Sequence, residues 1–338
     1  MAKAQITSQY SFLPLKLLNT GKVRETFEFD DQHLLIVTTD RISALDIVLE
    51  TQIPGKGIVL NQMSNFWMEN LVPDHNHLMD TNMERIAESK KELAPFISQL
   101  QNRAVLVKKL KMFPLECIVR GYFTGSVVKK YQKDNNGMVL GHDVGMGLTN
   151  WQKFPKGNIY TPSTKAELGL HDQNLTREQA KEILTERGLG EYARSIEELS
   201  LNLYGQACEY ALSKNIILVD TKLEPGLDGE VISLGDEMFT PDSSRFIATD
   251  EYEKAFAEGR DPASLDKEPV RRVVRGMLKG LPEGTEPEQQ TLKLCEDDVK
   301  KTIENYTDIY FNLVGEDYNH SATRALYAIR ANHNIRSK

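Results

Sequence analysis

Cysteine is scarce in this chain of 338 residues: Cys117, Cys208 and Cys295 stand far apart and form no CxxC pair. That spacing excludes a disulfide framework and indicates no zinc site, so the three are expected as buried small hydrophobes. Long apolar runs are missing as well. The run Ile216 to Val219 falls far short of the roughly 20 residues a membrane helix needs, and the N-terminal MAKAQITSQY lacks the apolar stretch of a secretory leader. No membrane partner is expected, and a cytoplasmic location follows as the default. No GxxxxGK[ST] occurs, which disfavours a P-loop enzyme, and the glycines at 141, 145 and 147 do not match the dinucleotide fingerprint. Nor is there an excess of positive charge: 41 Lys and Arg against 49 Asp and Glu leave a net charge of −8. Nucleic acid is therefore not an expected partner, although a small phosphorylated ligand needs only a local basic pocket.

What is present describes an ordinary folded chain of about two domains, 40% apolar with a mean hydropathy of −0.43. Up to about Leu110 the segments VRETFEF, HLLIVTT and AVLVKKL alternate or run apolar between polar breaks and predict a mainly antiparallel sheet. One helix is predicted from Leu60 to Leu71, before Pro73. Residues 135–157, rich in Gly and Asn, predict a surface loop. Thr176 and Gln179 have capping-box spacing, with Gly188 a plausible stop, and a further helix carries Ile196, Leu199, Leu203 and Ala207 on one face. The strand IILVD then passes through a Pro/Gly turn region into EVISLGDE, and from about Thr249 the chain is charged and helical in period.

Three constellations could carry chemistry. Gly21-Lys22-Val23-Arg24 precedes a strand-like segment, where a glycine lets backbone approach phosphate oxygens and two cations offset their charge. Alone, it reads as simply as a tight turn with solvated cations. In residues 106–126 a strand meets a Pro-containing connector and a second strand carrying Arg120, as a hinge between two lobes would require, and nucleotides often bind at such interfaces. Backbone near Met112 could read adenine there while Glu116 accepts bonds from ribose hydroxyls; an interdomain strand with solvated lysines is the plainer alternative. The third runs Asp220-Thr-Lys222-Leu-Glu224, Gly235-Asp236-Glu237 and Thr240-Pro-Asp242-Ser-Ser-Arg245. Acids and cations packed beside apolar strands are costly unless they face a ligand, a metal or one another. A carboxylate pair holding Mg²⁺ on a polyphosphate, with cations receiving a second anion, would explain them, and so would a solvated hairpin face. His75 and His77 alternate like strand ligands but lack an obvious third ligand for a metal.

Taken together, GKVRETFEF, TTDRISALD with IPGKG, PLECIVRGYFTGS, YTPSTKAELG with HDQN, ILVDTKLEPG and GDEMFTPDSSRF resemble the SAICAR synthetase family, in family order from residue 21 to about 246. The resemblance implies a two-lobe α+β fold related to protein kinases and ATP-grasp enzymes, with a mainly antiparallel N-terminal lobe over residues 1–113. An α/β lobe with the metal and substrate sites and a helical C-terminal extension would follow over 114–338. It implies an ATP-dependent ligase of purine biosynthesis that joins L-aspartate to an aminoimidazole ribonucleotide carboxylate, with Mg²⁺ as cofactor. By the same resemblance ATP would meet Lys22, Val23, Arg24, Lys108, Leu110, Met112, Glu116 and Lys165. The nucleotide substrate would meet Asp46, Arg120, Ser126, Arg245, Lys267 and Arg271, Lys222 and Asp220 would be catalytic, and Glu224 and Asp236 would hold the metal.

The chain departs from the family pattern at two places. Pro225 stands where an aromatic is common, and Asp266-Lys267-Glu268-Pro269 replaces a DKQ-plus-aromatic helix start. Pro225 favours an extended Glu224 and Pro269 suits a first helical turn. Asp228-Gly229 looks like a two-residue hairpin turn, which would place Glu224 opposite Ser233 and Asp236 opposite Thr221, on opposite faces of the sheet. Since a shared metal needs both carboxylates on one side, the simple two-residue turn is expected to be absent. Two other function classes stand as alternatives: a small-molecule kinase, which would form ADP without aspartate, and a nucleotide-binding regulatory protein, against which the intact Lys222, Glu224, Asp236 and Arg245 argue, since loss of the metal ligands would mark it.

Overall fold

The computed structural model describes residues 6–134, 136–165, 173–280 and 292–335. They fall into two compact units, one of Met1–Leu110, Thr240–Asp242 and Asp266–Lys338, the other of Lys111–Phe239 and Ser243–Leu265.

The first unit opens with β1 (Lys16–Thr20), β2 (Arg24–Glu28) and β3 (His33–Thr38), then a separate hairpin of β4 (Arg41–Ala44) and β5 (Ile47–Gln52). Helix α1 (Lys56–Leu71) follows, with β6 (Leu78–Asp80), α2 (Met83–Ser89), α3 (Ile97–Leu100) and β7 (Ala104–Lys108). The five-stranded sheet has the order β1-β2-β3-β7-β6, antiparallel throughout, as its alternating segments predict. Its inward residues Phe27, Leu35, Val37 and Ala104 pack with Met83, Ile86, Leu93 and Leu100. Helix α1 begins four residues earlier than its apolar spacing suggests, because the Asp40 carboxylate accepts the Gly57 N–H at 2.8 Å and satisfies its first turn.

The second unit contains β8 (Lys111–Met112), β9 (Leu115–Arg120), α4 (Ser126–Asp134), β10 (Met138–Val139), β11 (His142–Asp143), β12 (Ile159–Tyr160) and β13 (Ser163–Thr164). After these come α5 (Arg177–Glu186), α6 (Ala193–Ser213), β14 (Ile216–Asp228), β15 (Val231–Gly235), β16 (Ser244–Ala248) and α7 (Thr249–Ala257). Strand β14 is its axis: the first half lies between β9 and β16, the second between β8 and β15, all antiparallel. The expected short strand IILVD thus continues through Pro225 and Gly226 to Asp228, since neighbours on both edges hold it extended. Helix α6 packs behind it, where the buried Tyr204 hydroxyl donates to the carbonyls of Leu218 and Val219 at 2.7 and 2.8 Å. The capping box at Thr176 forms as its spacing predicts. The expected surface loop of residues 135–157 is in part a small β10–β11 hairpin, whose Val139, Leu140 and Val144 are buried with Phe123, Tyr131 and Phe154. Residues 166–172, within the YTPSTKAELG and HDQN segments, lie outside the described residues.

The chain then re-enters the first unit as α8 (Glu268–Lys279), α9 (Glu296–Leu313) and α10 (His320–Asn332). These helices group with the N-terminal segment and not, as expected, with the second half. The reason is apolar: Ile42, Ile47, Leu49 and Ile53 find their cover in Val270, Val274, Leu292, Leu294 and Ile303. Cys117 is buried as expected, Cys208 is half-buried, and Cys295, before the first turn of α9, is exposed. Among the described residues no helix is long and apolar enough to cross a membrane.

Candidate functional site

Alternation along β14 sets the main cluster. Asp220, Lys222 and Glu224, two residues apart, point to one face, while Thr221 and Leu223 point to the other and are buried. Register with the neighbours completes the pattern, because directly opposed residues share a face. Arg120 of β9 and Arg245 of β16 both lie opposite Asp220, giving a row of three side chains.

In that row the Asp220 carboxylate accepts from Arg120 Nη1 at 3.0 Å and from Arg245 Nε at 2.9 Å, with a further bond from Arg245 Nη2. The side chains are 8%, 10% and 13% exposed for Arg120, Asp220 and Arg245, so the charges interact with little screening. Burial draws the Arg120 guanidinium below its ordinary value, opposed by the Asp220 charge and assisted by Arg245. Arg120 also donates through Nε to Thr161 Oγ1 at 2.9 Å and lies 3.5 Å from the Ser126 hydroxyl, at the start of α4. Arg245 stands 5.7 Å from the centre of the Trp151 ring, and Gly125, at φ 73°, leaves room for its guanidinium. Two cations sharing one carboxylate leave a net positive charge.

Two residues on, the balance reverses. Lys222 Nζ donates to Glu116 Oε1 at 2.7 Å and Glu224 Oε1 at 2.5 Å, and Lys165 also bonds Glu224. Glu116 accepts from the Ser163 hydroxyl at 3.1 Å. Burial opposes the Lys222 charge, but Glu224, Glu116 and Asp236 outweigh it and hold the ammonium above its ordinary value. Burial likewise raises Glu224, and Lys222 and Lys165 overcome it and keep the carboxyl well below the usual range. Three carboxylates face two lysines here, a surplus of negative charge suited to a cation.

The β14–β15 connection corrects one expectation. A two-residue turn is present, one position later than Asp228-Gly229: Asp228 pairs with Val231 and Glu224 with Gly235, leaving Gly229 and Glu230 in the turn, with Gly229 at φ 62°. Parity is resolved elsewhere. Strand β15 ends at Gly235, and Asp236 sits in left-handed backbone at φ 56°, which breaks the alternation and lets its charge reach Lys222. Aspartate tolerates that conformation better than most residues.

The remaining expected residues are distributed as follows. Met112 lies in β8 and is exposed, next to Phe113, whose N–H donates to the Pro225 carbonyl at 3.1 Å. Lys22, Val23 and Arg24 belong to the first unit, at the β1–β2 hairpin, where Lys22 Nζ bonds Asp46. Asp46 and Leu45 form the β4–β5 turn with φ 65° and 52°. Lys108 ends β7, and Leu110 follows it in the same unit. Lys267 and Arg271 begin α8, with Pro269 in its first turn; Lys267 Nζ lies 3.3 Å from Asp242 Oδ2, and Arg271 Nη1 lies 3.3 Å from Glu268 Oε2.

Sequence reading missed a buried network around Asp242. Its carboxylate accepts from Lys56 Nζ at 2.8 Å and from the Tyr306 hydroxyl at 2.6 Å, and although burial works against its charge, Lys267 and Lys56 hold it well below the usual range. Thr161 and Trp151 were missed too; only the polar residue inside YTPST offered a signal. Among the described residues no group of three or more His, Cys, Asp or Glu side chains could by itself hold a metal ion. The two carboxylates Glu224 and Asp236 suit Mg²⁺, which takes one or two carboxylates and completes its shell with phosphate oxygens and water.

A sequence profile of the SAICAR synthetase family matches residues 17–287. A phosphoribosylaminoimidazole-succinocarboxamide synthase of Candida maltosa is 41% identical over 302 residues, covering 89% of this chain and 96% of the relative. One from Lachnospira eligens is 42% identical over 313 residues, covering 90% and 96%. The solved structure of the SAICAR synthase of Saccharomyces cerevisiae, complexed with SAICAR, is 37% identical and superposes with a TM-score of 0.75 over 92% of this chain and 98% of that one. A SAICAR synthetase solved in complex with ADP, at 24% identity and a TM-score of 0.61 over 89% of this chain and 98% of that one, shares the fold. With the α+β architecture, the charged row of β14 and these relatives in agreement, the chain belongs to the SAICAR synthetase family, ATP-dependent ligases of purine biosynthesis.

Proposed function

We propose that this chain joins L-aspartate to the carboxylate of 5-amino-1-(5-phospho-D-ribosyl)imidazole-4-carboxylate by way of an acyl phosphate, releasing ADP and phosphate, in the cytoplasm. The observation that supports this most is the division of one β14 face into a cationic end at Arg120, Asp220 and Arg245 and an acidic end at Glu224 and Asp236. Asp220 and Glu224 are four residues apart, about 13 Å along a strand, so an anion at one end and a cation at the other can be received separately.

At the cationic end the 5′-phosphate is assigned to Arg120 and Arg245, with Ser126 beside them. Asp220 relieves the repulsion between the two guanidiniums and holds them ready, a positioning task in place of the catalytic role that the resemblance implies. At the acidic end Glu224 and Asp236 would hold Mg²⁺, which when bound neutralises phosphate charge during transfer. With a cation held by Glu224 and Asp236, Lys165 and Lys222, which bond Glu224 here, would be free to serve the phosphates and the carboxylate being activated. Lys22, Val23 and Arg24 of the β1–β2 hairpin are assigned to the polyphosphate, and Met112 and Glu116 to adenosine. Catalysis is then positioning and charge neutralisation, which is what phosphoryl transfer asks of a protein.

The test is ADP release measured with and without L-aspartate in the presence of the imidazole nucleotide. Turnover that needs all three substrates is expected. ADP formed without aspartate, leaving a stable phosphorylated nucleotide, would show a kinase instead. Glu224→Gln should lose turnover while keeping its fold by circular dichroism; near-normal activity at limiting magnesium would remove the metal assignment.

A further inference from the structure

The segment Thr39-Asp40-Arg41 holds the backbone of the β1–β2 hairpin from one side. Arg41, 5% exposed, donates from Nη2 to the Gly21 carbonyl at 3.1 Å and from Nε to the Lys22 carbonyl at 3.3 Å. The next carbonyl, Val23, accepts from the Thr39 amide at 2.9 Å and its hydroxyl at 2.6 Å. Three consecutive hairpin carbonyls thus turn toward the same tripeptide. In a planar trans peptide the N–H points opposite to the carbonyl of its own plane. The amides of Lys22 and Val23, which share planes with the Gly21 and Lys22 carbonyls, are therefore directed away from Arg41. Among the described residues neither amide has a protein acceptor.

Arg41 is itself fixed. Its Nη1 donates to Glu25 Oε1 at 2.6 Å and to the Thr7 carbonyl at 3.3 Å. Glu25, fully buried, accepts in addition from the Ser8 hydroxyl and from the amides of Gln9 and Tyr10. Burial would raise the Glu25 carboxyl, but these bonds and the Arg41 charge keep it low and ionised. An anchored guanidinium with its donors in a fixed fork is suited to setting the orientation of two peptide planes at once.

We propose that Arg41 is a positioning residue that turns the Lys22 and Val23 amides outward as an anion-binding pair for the polyphosphate of ATP. This rests on the assignment of the hairpin to the phosphates. Were the two planes reversed, carbonyl oxygens would face the phosphate charge. The lysine side chain contributes charge, but the paired amides fix where a phosphate oxygen sits.

Amide hydrogen exchange and calorimetric titration test this on the full chain. In the parent protein, ADP with Mg²⁺ should slow exchange at Lys22 and Val23; no slowing there would overturn the hairpin assignment. Arg41→Lys keeps a charge beside Glu25 but cannot serve both carbonyls. It should weaken ADP by about tenfold, a change of about 1.4 kcal/mol, and lose the slowing, while the imidazole nucleotide binds within about twofold of the parent. Slowing in the parent that persists with unchanged ADP affinity in Arg41→Lys would overturn the role of Arg41 and leave the hairpin assignment standing. If Arg41→Lys does not fold, a crystal structure of the parent with ADP and Mg²⁺ carries the test: Lys22 and Val23 amides within about 3.2 Å of phosphate oxygens, with Arg41 still on the Gly21 and Lys22 carbonyls, support the proposal, and amides turned away from the phosphates or carbonyls released by Arg41 overturn it.

Discussion

Asp220→Asn keeps the shape of the side chain and removes the charge that Arg120 and Arg245 share. None of the three side chains is more than 13% exposed, so the guanidiniums lose a counter-charge that water replaces poorly. Removing one partner of a buried ion pair costs about 3–5 kcal/mol, and because asparagine retains one acceptor oxygen the lower end, about 3 kcal/mol, is expected. For a chain of 338 residues, at about 2.1 cal/mol/K of unfolding entropy per residue and hence about 1.4 °C per kcal/mol, that corresponds to a fall in Tm of about 4 °C. Inorganic phosphate should recover more of the loss in the variant than in the parent, since it supplies the missing negative charge. Differential scanning calorimetry of both proteins, with and without phosphate at matched ionic strength, measures this. A fall under about 2 °C, or equal protection of both proteins by phosphate, would refute the reading of Asp220 as the residue that holds the pair together.

Two further outcomes follow from single positions. In Gly125→Ala the new Cβ would lie 3.0 Å from Arg245 Nη2 in backbone at φ 73°. The strain of about 1–2 kcal/mol and the displaced guanidinium should weaken the imidazole nucleotide while leaving ADP affinity unchanged; equal loss for both ligands in titration would contradict this. Burial, assisted by the Arg24 charge, draws the His77 imidazole down to about 3. The unfolded chain titrates near about 6.5, so between these values it binds the proton that the native state refuses, and stability is full above about 6.5 and falls with acidification. At pH 5 this linkage amounts to about 2 kcal/mol, so His77→Asn should show a shallower loss between pH 8 and pH 5 in denaturant unfolding; identical slopes would refute it.

Much of the fold and the site is legible in the sequence wherever the information is local. The spacing of Asp220, Lys222 and Glu224 assigns them to one face whatever their neighbours, because strand side chains alternate. Thr176 and Gln179 announce a helix start through bonds made within four residues. The His75 and His77 pair illustrates the limit of such spacing: alternation suggested ligands, but His77 is buried while His75 is exposed, and no third ligand joins them among the described residues. The β14–β15 turn shows a second limit. Gly229 marks the reversal, yet one step of register and the left-handed Asp236 decide which face each carboxylate meets.

The residue types, their order and the alternation along each strand were determined by the sequence itself, and with them the family and the candidate site residues. Tertiary structure alone decided the partners. Asp220 meets Arg120 across 100 positions of chain and Lys56 meets Asp242 across 186, and the helices after Asp266 join the N-terminal unit because apolar residues of β4 and β5 need cover. No local pattern encodes such pairings. They arise from strand register and from the burial of distant apolar surfaces, both of which depend on the whole chain having found its fold.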